Sequence, residues 1–198
     1  MGTQADPDGF LDSVVLNARF TGMTLSAVGT QVVNADVYSR VRNDTSTGDR
    51  VFANFSSATS SVMTTWGTST RTLKVTFDSP VSAFSIDAVA DTNGDVGRLE
   101  AYNASGVLLD RVTTGVLGDG DVETMLLERG DADIAYVIAR AHYDTELHLD
   151  NIIVGPATAV MTDALGVFRL KSLPADDYQI QMQGRSGWAS TTPIQVGR

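Results

Sequence analysis

The chain has 198 residues, enough for one generous domain with a small appendage and too few for a large multidomain enzyme. Its 14 Lys and Arg stand against 24 Asp and Glu, and the resulting charge of −10 repels a nucleic-acid backbone, which sets DNA and RNA aside as partners. Cysteine is absent, excluding disulfides, thiolate metal sites and cysteine nucleophiles, and no apolar run approaches the ~18 residues of a membrane span.

The opening MGTQADPDG is neither basic nor apolar enough for a signal peptide, so an exported form of this chain is expected to have lost its leader. Residues 10–18 carry a weak mixed pattern that suits either a helical turn or a first strand. Beyond them apolar residues alternate, and Gly, Asn, Asp and Ser interrupt them about every 8–12 residues. The pattern predicts strands at 23–28, 31–42, 50–54, 70–78, 83–90, 97–103, 107–113, 123–128, 134–143 and 147–154. Asn103-Ala-Ser-Gly106 reads as a tight hairpin turn in which Gly106 supplies a positive φ. The acid is almost all Asp, which prefers turns, and Thr and Val are abundant, which suits pleated strands, so the expected class is all-β. Gly155-Pro156 marks the expected domain boundary.

The runs LKVTFDSPVSAFSIDAVA (73–90), LEAYNASGVLLDRV (99–112) and LHLDNIIVG (147–155), with FTGMTLSAVGT (20–30) upstream, resemble a jelly-roll domain of exported proteins from PEP-CTERM-bearing and planctomycete-type bacteria. The resemblance implies a galactose-binding-like jelly-roll β-sandwich over residues 8–155, extracellular or at the cell surface. Such folds host carbohydrate binding, adhesion and plain spacing, so function has to be argued from a site. The tail TDALGVFRLKSLPADDYQI (162–180), followed by Gly187-Trp188 and a Thr-Thr-Pro, is similar to Cna-B-like and carboxypeptidase-regulatory-like Ig-type modules. Residues 156–198 are too few for a whole module of that kind, and Asp176 stands where the family has Gly. The tail is therefore expected to be a partial module that is truncated, leans on the first domain, or is completed by a partner strand, which would allow self-association by strand addition.

Both histidines lie in His142-Tyr143-Asp144-Thr-Glu146-Leu-His148-Leu-Asp150. A hairpin turn at 144–146 would set His142 opposite His148 and Arg140 opposite Asp150, with 137, 139, 141, 147, 149 and 153 facing the core. Three readings stay open: a cross-strand salt bridge with solvated histidines, a polar ligand groove, or a transition-metal site of two His and one carboxylate. Asp91-Thr-Asn93-Gly-Asp95 spaces three oxygen side chains like the first half of a calcium loop, although Val96 and Tyr102 stand where an EF-hand needs Gly and a bidentate acid. It reads as a Ca²⁺ loop or as Asx-turns in an ordinary hairpin. The family resemblance adds Asp150 as an aspartate that can help hold a structural calcium.

Sugars are bound by aromatic faces flanked by amides and carboxylates, which makes Trp66, Tyr102 and Tyr143 candidates beside Arg140, His142 and His148. Trp66 reads either as a core plug or as a platform. No nucleophile elbow, zinc-protease motif or phosphate loop is present, and the four glutamates Glu100, Glu123, Glu128 and Glu146 fall on solvent faces or turns. The expectation is a non-catalytic binding or adhesion module for glycans or another extracellular surface, stabilised by Ca²⁺. The alternatives are a structural or filament subunit and, further off, a glycan-active hydrolase with two close carboxylates.

Overall fold

The computed structural model describes residues 3–155. Their strands are β1 (Thr3–Ala5), β2 (Met23–Val28), β3 (Val32–Val41), β4 (Arg50–Ser56), β5 (Ser61–Met63), β6 (Thr72–Val81), β7 (Ala83–Ala90), β8 (Gly97–Tyr102), β9 (Leu108–Thr113), β10 (Val122–Glu128), β11 (Ile134–Ala141) and β12 (Leu147–Val154), with one 3-10 turn at Pro7–Gly9. They form a seven-stranded sheet, β10-β7-β12-β4-β3 with β1 on β12 and β5 on β4, and a five-stranded sheet, β2-β6-β11-β8-β9. The fold is an all-β jelly-roll sandwich.

Alternation explains why these segments become strands. Met23, Leu25 and Ala27 of β2, Leu99 and Ala101 of β8, and Val137, Ala139 and Ala141 of β11 are buried, while the residues between them point outward. Facing them from the other sheet are Phe52, Phe84, Ile86, Met125, Leu147 and Leu149, all fully buried. Edge-to-face contacts run from Phe10 to Phe20 and on to Phe52, closing one side of the core. Residues 10–18 are neither helix nor strand: Val15 makes one isolated bridge to Tyr38, and backbone bonds from Ser13 and Leu16 hold the segment along β3. The turn at Asn103–Gly106 is as expected, with Gly106 at φ 77° and Asn103 Oδ1 accepting from the Ser105 and Val107 amides.

The expected pairing of 134–143 with 147–154 is overturned. β11 lies in the five-stranded sheet and β12 in the seven-stranded one, so Arg140 does not face Asp150 and His142 does not face His148. Tyr143 (φ 56°) and Asp144 (φ 58°) both occupy the left-handed region, and the connection carries the chain across the sandwich instead of folding it back in plane. A second departure follows within β12. Its pairing with β7 shifts between Asp150 and Ile153, at Asn151 (φ 45°), so Ile152 rather than Ile153 is fully buried. The outer side of β12 is also covered: His148 and Asp150 are fully buried, with the 42–49 loop lying over them.

The expected partial module, residues 156–198, lies outside the described residues, and with it the expectation of strand addition.

Candidate functional site

An open groove of about 600 Å³ crosses the outer face of the five-stranded sheet. Its floor comes from outward positions of three neighbouring strands: Thr72 and Lys74 of β6, Tyr136, Ile138 and Arg140 of β11, and Glu100 and Tyr102 of β8. Val28, Gly29, Thr68 and Ser69 line one end. Register places these side chains together, because Tyr136 sits opposite Tyr102, and Ile138 opposite both Glu100 and Lys74. Cross-strand partners share a face of the sheet.

Aromatic and ionic pairs organise the groove. The Tyr102 and Tyr136 rings stack with centroids 4.9 Å apart and planes 7° from parallel. Lys74 Nζ lies 4.2 Å from the Tyr136 ring centroid. Arg140 donates from Nη2 to Glu100 Oε1 at 3.2 Å and from Nε to Oε2 at 3.4 Å, both side chains being mostly buried, and a third bond reaches the Thr68 carbonyl. The Tyr102 hydroxyl donates to Glu100 Oε2, and burial together with the neighbouring Glu100 charge pushes its phenol above the ordinary value. The arrangement sets a stacked tyrosine pair beside a fixed guanidinium, a carboxylate and two hydroxyl-bearing threonines, so aromatic surface and hydrogen-bonding groups meet in one open groove.

Of the residues singled out from sequence, Tyr102 and Arg140 lie in this groove. His142 and Tyr143 stand in the 142–146 connection, near the Thr68 end, where the Asp144 amide donates to the Thr68 hydroxyl. Their rings are 3.8 Å apart, and Tyr143 is 74% exposed. Arg98 Nη2 donates to His142 Nε2 at 2.8 Å, which requires that nitrogen to be unprotonated. Partial burial and then the Arg98, Arg140 and Arg111 charges hold this histidine below its ordinary pKa, with Glu100 opposing them.

Trp66 is not a platform. It is fully buried, its indole N–H donates to the Phe52 carbonyl at 2.8 Å, and its backbone bridges Leu147, so the tryptophan plugs the core where its one polar atom finds a partner. His148 is equally inaccessible. Its Nδ1 must donate to the Thr64 carbonyl, and Nε2 lies between Arg42 Nη2 at 3.2 Å and Asp91 Oδ1 at 3.0 Å.

The oxygen side chains of the 91–95 loop do not converge on a common point. Asp95 Oδ2 accepts from the Asp91 and Thr92 amides, Asn93 Oδ1 accepts from the Asp119 amide, and Asp91 Oδ1 is met by the Arg42 guanidinium at 2.8 Å. Asp150 is elsewhere: its Oδ2 accepts from the amides and hydroxyls of Ser46 and Thr47, and its Oδ1 from the Asn151 amide. Burial pushes Asp150 up to about 6, against the pull of those donors. Among the described residues no group of three or more His, Cys, Asp or Glu side chains is set to hold a metal ion. Asp91, Asn93 and Asp95 thus each have their own partners in and around the loop, and Asp150 has a separate set of donors.

The sequence reading missed Lys74, Glu100 as a groove residue, and Tyr136. Each occupies an outward position of an alternating strand, and the signal that could have found them is a shared register across β6, β11 and β8, which depends on long-range pairing.

No family model matches the sequence, and no curated relative matches it. Among solved structures, the chain is similar to the CBM22-1–GH10 modules of the Clostridium thermocellum endo-1,4-β-D-xylanase 10B, complexed with xylohexaose, at 12% identity and a TM-score of 0.43, over 82% of this chain and 30% of that one. It is also similar to the enzymatically active domain of Bacteriophage CBA120 tailspike protein 4, at 15% identity and a TM-score of 0.36, over 68% of this chain and 19% of that one. The chain thus spans less than a third of the length of either structure.

Proposed function

We propose that residues 3–155 form a non-catalytic glycan-binding module of an extracellular or cell-surface protein, with the groove on the five-stranded sheet as its binding site. The observation that supports this reading is the combination in one open groove of a stacked tyrosine pair, Tyr102 and Tyr136, with the Arg140–Glu100 fork. Sugars present apolar ring faces and hydroxyl edges together, and this groove answers both. The exported setting comes from the resemblance of the 73–90, 99–112 and 147–155 runs to exported jelly-roll proteins.

A glycan array followed by affinity electrophoresis in gels containing the polysaccharides it selects tests the reading. Retardation of the wild-type chain is expected, with retardation lost in Tyr102→Ala and kept in Tyr143→Ala, which lies outside the groove lining. Migration unaffected by every polysaccharide, or retardation indifferent to Tyr102→Ala, overturns it.

A further inference from the structure

Charge is distributed unevenly over the described residues. Ten of them are Lys or Arg, and six of those, Arg40, Arg42, Arg50, Arg71, Arg129 and Arg140, are paired with a carboxylate. The remaining four are Arg19, Lys74, Arg98 and Arg111. Three of these four stand on the groove face of the five-stranded sheet. Lys74 projects from β6 beside Ile138, Arg98 lies opposite Arg140 in the β8–β11 register, and Arg111 of β9 lies opposite Glu100. Lys74 makes its contact with a tyrosine ring, and Arg98 bonds the Thr113 hydroxyl and the His142 ring; neither contact neutralises charge. Among the described residues Glu100 is the only carboxylate lining the groove, and Arg140 already holds it.

In a chain of net charge −10, three cations on one face that have no carboxylate partner among the described residues are not arranged for internal balance. Lys74 and Arg111 end one row of four strands, so they stand about 14 Å apart at roughly 4.8 Å per strand. A sugar chain laid across the strands would meet a cation at each side of the groove and stacked tyrosines beside its path. Resting on the glycan-binding reading above, we propose that the ligand of this groove is an anionic polysaccharide, held by Lys74, Arg98 and Arg111. Neutral sugars would leave these charges unanswered.

The test uses the full chain and four probes: polygalacturonate, alginate, dextran sulfate and neutral xylan, followed by calorimetry and affinity electrophoresis. The two polyuronates are expected to bind, with affinity falling as NaCl is raised from about 0.05 to about 0.5 M. Lys74→Gln and Arg111→Gln should each weaken binding by about two- to fivefold, the range of an exposed ion pair, while Arg19→Gln leaves it unchanged. Urea melts of the variants confirm that they fold. Equal binding of xylan, or polyuronate binding insensitive to both salt and Lys74→Gln, overturns the anionic assignment while leaving the glycan reading intact. Dextran sulfate preferred over both polyuronates identifies sulfate as the anion and supports the anionic assignment, and polyuronates preferred over dextran sulfate identify carboxylate. Failure of all four probes, together with no array hit, overturns both readings.

Discussion

Tyr102 and Tyr136 stack in parallel across adjacent strands, and Lys74 approaches Tyr136 from the strand on its other side, so three strands of one sheet are joined through a single ring. Such a pair on a solvent face has a structural share that can be separated from any binding role. A double-mutant cycle of Tyr102→Ala and Tyr136→Ala, read by urea unfolding, is expected to give a coupling of about 0.5–1.5 kcal/mol. A coupling near zero would show that the rings only lie side by side. A spectrophotometric titration adds a second readout: Tyr102→Phe should remove the tyrosine that ionises above the ordinary range.

Trp66 supplies a core measurement. Its ring is fully buried and its N–H is satisfied by the Phe52 carbonyl, so Trp66→Phe combines a volume loss with an unpaired carbonyl and is expected to destabilise by about 1–3 kcal/mol. In a Trp188→Phe background the remaining emission should be blue-shifted, shielded from acrylamide, and unchanged by glycan. Quenching or a shift on glycan addition would return Trp66 to the binding surface.

Asp150 predicts an unusual pH dependence. Burial raises its carboxyl from 3.8 to about 6, which corresponds to about 3 kcal/mol at most. A folded-state pKa above the unfolded one means that the native chain holds the proton more tightly. The stabilisation linked to this group is then fully present below about pH 4 and is lost as pH rises to about 6, the reverse of a salt-bridged aspartate. The melting temperature of the wild type relative to Asp150→Asn should therefore fall as pH is raised from about 4 to about 7. Taking the difference from the variant removes the background from other acids, including Asp6, which is also raised by burial. A difference independent of pH would mean that the amides and hydroxyls of Ser46 and Thr47 keep the carboxylate ionised.

The strands were largely legible because alternation is local. The segments 23–28, 83–90 and 147–154 coincide with β2, β7 and β12, and the other expected strands differ only at their ends. β1 and β5, three residues each, escaped because so short a run cannot display a period. The site was half legible. Alternation put Arg140 on an outward face, and Tyr102 entered as an aromatic candidate, but alternation says nothing of which sheet a strand joins, so the β11–β12 connection was read as a hairpin when it crosses the sandwich. Leu-His-Leu-Asp likewise reads as one buried and one open face. Both are buried, because backbone amides of the 42–49 loop cap Asp150, and amide direction leaves no trace in residue identity. Trp66 shows a related limit: its polar neighbours Thr64, Thr65 and Thr68 left a core plug and a platform both open, and the fold makes it a core plug.

The spacing of Asp91, Asn93 and Asp95 can be separated from calcium binding by melting. Asp95 is buried, and its Oδ2 accepts the Asp91 and Thr92 amides at 2.9 and 2.8 Å, which makes it a turn-forming acceptor. Asp95→Ala leaves two amides without their partner and is expected to lower stability by about 1–3 kcal/mol in chelator and in millimolar Ca²⁺ alike. Asp95→Asn keeps one acceptor oxygen and should recover part of the loss. Wild-type melting should be the same in both conditions, because Arg42 already faces Asp91 and the Asp119 amide already occupies Asn93 Oδ1. A melting temperature that rises with Ca²⁺ concentration, and no longer does so in Asp95→Ala, would establish an ion in this loop through ligand linkage and reverse the assignment.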